Sequence, residues 1–400
     1  MARIAVDAVD KRLLQHRLDF PALDQFVWLQ NGGVSLVPRP VHEVHTALIE
    51  ASFRRGPLHI AYPDEEYPRR AASRARIARF LGADHGEVAV VRGVSEAFAH
   101  VMRSIDWQPG DELILSDDEE SALLVPAIQV RDERGVRLRF LHAMSGDADA
   151  IVGQADQLLG SATRLFAFSH VTTDIGARLP AARLCRLAEE RGVPTFVDLA
   201  HSAGAIEIDL HAMQPSYAGA LSYKWMMAPY AAGALYVRAD RLESTPVVFA
   251  GGRSDATFDR AGARMQLHAD TRRFEYGPWG WPLVHAWAAS IDYLSDIGCD
   301  VINARTQRLG TRLKTALLPD ERVRLFTPLE PERSANLVAF GVAGWHGRDL
   351  KRYLRERDGI VVRSLDHVPD GVRASVAFFT SEDEVDRLVE AISSLPAMPP

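Results

Sequence analysis

Short apolar runs alternate with stretches whose apolar positions recur every three or four residues along much of this 400-residue chain. Runs at Glu87–Arg92, Glu112–Ser116, Val136–Leu141, Arg164–Ser169, Thr195–Asp198 and Ala234–Val237 read as buried strands, with amphipathic helices between most of them. Such alternation predicts an α/β fold of βαβ units around a mostly parallel sheet. In one helix, Pro180 stands at the start, Leu184, Leu187 and Ala188 share a face, and Gly192 follows the last turn as a C′ residue. Beyond the helical segment Trp281–Ile297 the rhythm changes. A helix near Asn303–Leu317, strands at Asn336–Val342, Gly359–Arg363 and Val372–Val376, and a closing helix Glu382–Ser394 predict a smaller α/β unit. The expected organisation is an N-terminal segment, residues 1–40, wrapping a large domain over 41–289, followed by a small C-terminal domain over 290–400.

Composition narrows the function classes. Against 53 acidic residues stand 46 Lys and Arg, a net charge of −7, so the electrostatic footprint of a nucleic-acid binder is missing and a small-molecule partner is expected. The two cysteines, Cys185 and Cys299, lie far apart and outside any Cys/His cluster, which excludes a disulfide scaffold and a structural zinc module and fits a reducing cytoplasm. Asp7, Asp10 and Lys11 interrupt the leading segment where a signal peptide needs an apolar core, and no apolar run reaches the ~18 residues of a membrane span. Neither a metal nor a membrane enters the expected chemistry.

Ligands of doubly wound sheets bind beyond the carboxyl ends of the strands, so polar residues that close apolar strands are the first candidates. The strand Glu87–Arg92 runs into Gly93-Val94-Ser95 and a helix, a turn that can present backbone N–H groups to a phosphate. Taken alone, Ser95 reads first as a plain helix cap, and a further reading makes it the nucleophile of an elbow whose last glycine is missing. Thr195–Asp198 ends in a carboxylate that needs a cation, an ordinary arginine or a protonated ring nitrogen, with His201 on the following turn. Lys224 follows the small-residue strand Ala218–Ser222, and between buried strands its amine is desolvated, unlike a surface lysine, and nucleophilic toward an aldehyde.

A phosphate turn, the strand-end carboxylate at position 198 and the lysine at position 224 supply three fixed points for pyridoxal 5′-phosphate. The run FVDLAHSAGAIEIDLHAMQPSYAGALSYKWMMAPYAAGALYVR resembles the class V aminotransferase family of fold-type I PLP enzymes, which includes cysteine desulfurases, isopenicillin N epimerase-like proteins and C–S lyases. The resemblance implies a fold-type I PLP-dependent transferase fold and a homodimer with its active site at the subunit interface. It makes Lys224 the Schiff-base lysine, Asp198 the partner of the pyridinium nitrogen and His201 the neighbour of the ring's phenolic oxygen. Gly93, Val94 and Ser95 become the phosphate turn, assisted by Tyr223, and Thr173 stands where relatives place an Asn near the phenolic oxygen. Arg373 matches the arginine that grips the substrate α-carboxylate, with Asn31 as a second substrate-binding residue; taken alone, Arg373 is an ordinary strand arginine.

Three departures bear on the reaction. Glu120 occupies a cofactor-side position where relatives stack His, Phe or Tyr, which makes it either an acid/base group or a surface carboxylate. Pro278 replaces a Thr that reaches a neighbouring subunit's phosphate, and Trp279 or Trp281 faces the substrate or packs in the core. The loop Ser364–Gly371 lacks the cysteine by which desulfurases take up sulfur, which argues against that mechanism. The expected activity is therefore C–S β-elimination from an S-substituted cysteine or other α-amino acid, through an external aldimine and Cα deprotonation. Epimerisation, transamination and oxidative deamination are alternatives on the same site, and a serine hydrolase or a non-catalytic binding protein on the same fold comes from other classes.

Overall fold

The computed structural model describes residues 11–144, 147–365 and 371–399. The first ten residues of the leading segment and positions 366–370 of the cysteine-free loop lie outside the described residues.

Seven strands form the central sheet: β1 (Val88–Val91), β2 (Glu112–Ser116), β3 (Arg137–Leu141), β4 (Thr163–Ser169), β5 (Thr195–Asp198), β6 (Tyr217–Leu221) and β7 (Gly233–Val237). Their spatial order is β1-β7-β6-β5-β4-β2-β3, with β7 antiparallel to both neighbours and the other pairings parallel. Apart from the edge strand β3, the sheet is buried on both faces. Val88 and Val90 of β1 and Phe166 and Phe168 of β4 enter one apolar cluster, whereas Ala89, Val91, Leu165 and Ala167 enter another on the opposite face. Strands covered on both sides have no wet face to mark with polar residues, which is why they are continuous apolar runs in the sequence.

The strand boundaries expected from the sequence hold to within one residue at most ends. Gly192 has φ +68°, the left-handed conformation of a C′ glycine, after the helix Ala181–Glu190. A second sheet is formed by β8 (Val323–Leu325), β9 (Leu337–Val342), β10 (Arg363–Ser364) and β11 (Gly371–Ser375), ordered β8-β9-β11-β10 and antiparallel throughout. Leu13 and Phe20 of the leading segment pack into the core of the large sheet, while Val27–Trp28 pairs in parallel with Ile360–Val361 beside the small one. An exposed hairpin, Asp255–Asp259 and Arg264–Leu267, had no clear signal in the sequence. Among the described residues no helix is long and apolar enough to cross a membrane.

The parallel pairings, with β7 reversed between β1 and β6, bring the carboxyl ends of β1, β2, β4, β5 and β6 to one edge of the sheet. The edge of the small sheet that carries Arg373 docks there: the Arg373 guanidinium donates to the Thr173 carbonyl, and Thr327 Oγ1 donates to the Ile175 carbonyl at 2.6 Å. That junction holds the cavity of interest.

Candidate active site

A cavity of about 420 Å³ is lined by Gly33, Gly93, Val94, Ser95, Glu120, Asp198, Tyr223, Lys224 and Arg363, among others. Topology explains the gathering. Gly93 leaves β1, Glu120 leaves β2, Asp198 ends β5 and Lys224 follows β6, all at the same edge.

The turn after β1 starts an eleven-residue helix, α1 (Val94–Ser104), with Gly93 at its N-cap and no side chain capping it. Ser95 is exposed in the first turn and is not the cap, which corrects the plain capping reading. The uncapped N–H groups that begin any helix are left for a ligand, and the positive end of the helix favours an anion. Gly93 has φ +153°, and a Cβ on Gly233 at the start of β7 would come within 2.6 Å of the Gly93 Cα. Two glycines thus let the turn approach the sheet edge.

Asp198 is buried, and its Oδ1 accepts the Ala200 N–H at 2.7 Å. Burial pushes its carboxyl up to about 6, against the pull of that N–H and of Lys224. Lys224 is 5% exposed, and desolvation lowers its amine to about 8 despite the opposing fields of Glu120 and Asp198. Its Nζ lies 3.1 Å from His201 Nε2. Burial, with Lys224 next in effect, holds the His201 imidazole well below its ordinary value, and His201 Nδ1 has no hydrogen-bond partner among the described residues. No hydrogen bond joins His201 to Asp198 or to Ser95 among the described residues, so the serine-hydrolase triad is not assembled.

Four consecutive acids after β2 each do something different. Asp117 accepts the Ala143 N–H at 2.8 Å, and Asp118 accepts the N–H groups of Asp174 and Ile175 at 2.9 and 3.0 Å. Glu119 turns inward, accepting from the Ser116 hydroxyl and from Ser169 N and Oγ at 2.8 and 2.5 Å, and burial raises it to about 8. Glu120 turns into the cavity, where Thr173 Oγ1 donates to its Oε1 at 3.0 Å and Arg363 NH1 pairs with the same oxygen at 3.1 Å. The surface-carboxylate reading of Glu120 is thereby replaced. Burial acts to raise its pKa, but Lys224, Arg363, the Thr173 hydroxyl and Arg373 together hold the carboxyl below its ordinary value.

Arg373 is fully buried on β11, and among the described residues its Nε and NH2 have no hydrogen-bond partner. A Cβ on Gly32 would lie 3.1 Å from that NH2, so the Asn31-Gly32-Gly33 turn leaves room beside the guanidinium. Asn31 donates to the Ser375 carbonyl at 3.0 Å and accepts from Ser35 Oγ at 2.9 Å, which shapes that turn. Tyr223 is half-buried and stacks on Tyr230 with ring centroids 4.5 Å apart. Trp279 and Trp281 line a different cavity, with Arg70 and Arg74, and neither lines the one that holds Lys224. Arg363 was not legible as a site residue from the sequence. It closes an apolar strand, the signal that marked Asp198, but in the small sheet rather than the large one.

The chemistry of this donor set points to one kind of group. An uncapped helix start wants an anion, Asp198 a cation, His201 Nδ1 a hydrogen-bond partner within its buried surroundings, and Lys224 presents an amine with a lowered proton affinity. A phosphorylated pyridine aldehyde supplies the first two demands and reacts with the last, so these residues fit pyridoxal phosphate.

Comparison with known proteins agrees. The family described as aminotransferase class-V matches residues 61–388. The chain is 33% identical to isopenicillin N epimerase of Streptomyces clavuligerus over 338 residues, 81% of this chain and 83% of that protein. It is 29% identical to a cysteine desulfurase of Dickeya dadantii over 334 residues, 80% and 79% of the two chains. The complex of the cystine C–S lyase C-DES with its product cysteine persulfide matches with a TM-score of 0.88 at 24% identity, covering 94% of this chain and 99% of that one. An apo cysteine desulfurase from Thermococcus onnurineus gives 0.84 at 24% identity, covering 95% and 98%. The fold is that of the fold-type I PLP enzymes, and the chain belongs to the class V aminotransferase family of pyridoxal-phosphate-dependent enzymes.

Proposed function

We propose that the protein catalyses C–S β-elimination from an S-substituted cysteine. The observation that carries this reading is the buried Lys224 amine sharing a cavity with Asp198 and Glu120, with Arg373 and its two nitrogens unpartnered among the described residues at the adjoining junction. Bound pyridoxal phosphate supplies an electron sink that makes the substrate Cα–H acidic. Gly93, Val94 and Ser95 would hold its phosphate, Asp198 its ring nitrogen, His201 and Thr173 its phenolic oxygen, and Lys224 its aldehyde carbon. Arg373 offers the α-carboxylate a planar two-point contact that orients the substrate. Lys224 Nζ, with its affinity lowered to about 8, is matched to take the Cα proton near neutral pH. His201, kept neutral, positions that amine.

Elimination is favoured over desulfuration because neither thiol reaches the cavity. Cys185 is buried in the helix Ala181–Glu190 with its thiol pushed up to about 12, and Cys299 begins the helix Cys299–Leu317. Both are free thiols, which supports a cytoplasmic setting. The exposed hairpin with Phe258 and Met265 on its surface supports a homodimer. Purified enzyme given S-methyl-L-cysteine or cystine should release pyruvate, ammonia and a thiol or persulfide. The identity to isopenicillin N epimerase favours epimerisation as a second reading; D-amino acid formed without pyruvate would establish it and remove elimination.

A further inference from the structure

Arg363 and Arg373 sit directly opposite one another on the antiparallel strands β10 and β11, so their side chains leave the same face of the small sheet. Like charges in that position repel unless anions lie between them. The two guanidiniums are not treated alike. Arg373 is fully buried with two nitrogens unpartnered among the described residues, whereas Arg363 is already paired with Glu120 at 3.1 Å. Glu120 is not tied up elsewhere in the backbone: it is the N-cap residue of the helix Ser121–Arg134, yet its side chain caps nothing and turns into the cavity. Thr173 Oγ1 fixes it from the large-sheet side at 3.0 Å.

We propose that Glu120 is a specificity-determining residue: by occupying Arg363 it leaves one arginine, Arg373, for one substrate carboxylate, and it excludes amino acids whose side chain bears a second carboxylate. The inference rests on the amino-acid reading of the site. A substrate held by its amine near Lys224 and by its α-carboxylate on Arg373 lies beside the Glu120–Arg363 pair, because Glu120 shares the Lys224 cavity and Arg363 neighbours Arg373. A side-chain carboxylate arriving there meets the Glu120 anion and finds Arg363 already taken. A neutral amide of the same shape meets no such repulsion. Specificity of this kind is built from a repulsive element rather than an added attraction.

The test uses shape-matched probes on the cofactor-loaded enzyme: L-aspartate against L-asparagine and L-glutamate against L-glutamine, with dissociation constants read from the change in cofactor absorbance. Wild-type enzyme should bind the amides at least about tenfold more tightly than the acids, a difference of about 1.4 kcal/mol. In Glu120→Gln the unpaired Arg363 should erase or invert that ratio, and in Glu120→Gln/Arg363→Gln the inversion should disappear. Glu120→Ala repeats the test if the glutamine variant binds cofactor poorly. An acid-to-amide ratio unchanged across these variants, or a wild-type preference for the acids, overturns the inference. Failure of every amino acid to perturb the absorbance would remove the proposed function and this inference together, so the two failures are distinguishable.

Discussion

Replacing Lys224 by methionine should make the cofactor-free protein more stable while abolishing its chemistry. The amine is buried, and its affinity falls from 10.5 to about 8, mainly by desolvation. At about 1.4 kcal/mol per unit, keeping that lysine charged inside the fold costs about 3 kcal/mol. Methionine has nearly the same volume and no charge, but it abandons His201 Nε2 at 3.1 Å, which returns about 1 kcal/mol. A net gain of about 2 kcal/mol remains. With about 2.1 cal/mol/K of unfolding entropy per residue over 400 residues, Tm rises by about 2–3 °C at pH 7. The sign of the pH dependence follows from the depressed folded value. The penalty is complete below about 8, fades as pH rises toward 10.5, and is absent above it. Thermal unfolding of both apoproteins between pH 7 and 11 should therefore show a difference that closes with rising pH. A variant less stable than wild type at pH 7, or a difference that widens with pH, would refute the claim that Lys224 is held under desolvation strain.

Asp198→Asn should fold normally, since burial already works against the charge, yet lose about 10²-fold or more in turnover because a neutral amide cannot hold the cofactor ring in its protonated form; steady-state rates with apo-protein melting separate the two effects. Gly233→Ala places a Cβ within 2.6 Å of the Gly93 Cα and of the Ala220 carbonyl. Cofactor affinity, measured by equilibrium dialysis, should fall by about tenfold or more as the phosphate turn is displaced, with overpacking costing ~1–3 kcal/mol. Glu119 is raised to about 8 by burial, so it stays protonated in the fold where the unfolded chain ionises; wild-type stability should fall between about pH 4.5 and 8 and level off above. Glu119→Gln keeps the shape without the titration, and urea melts across that range should show a flatter profile.

The large sheet was legible because its strands, the edge strand β3 apart, are buried on both faces, so apolar runs, turn glycines and strand-end polar residues all mark the same boundaries. Lys224, Asp198 and the Gly93 turn were legible for the same reason: each ends or follows such a strand. The Glu120–Arg363 pair was not, because the partners lie on different sheets and only tertiary docking brings them together. The orphaned donors of Arg373 were equally hidden, since a sequence shows an arginine on a strand but not whether a carbonyl, a carboxylate or nothing faces it. The hairpin Asp255–Leu267 is exposed along most of both strands, and without a buried face it carries no alternation to read.

The central claim is that the Lys224 amine carries pyridoxal phosphate. Borohydride reduction of the freshly purified enzyme, followed by peptide mass mapping, tests it directly: the account predicts a phosphopyridoxyl increment on the peptide containing Lys224 and its absence from Lys224→Met. An unlabelled Lys224 peptide, or the same increment on another lysine, would contradict it.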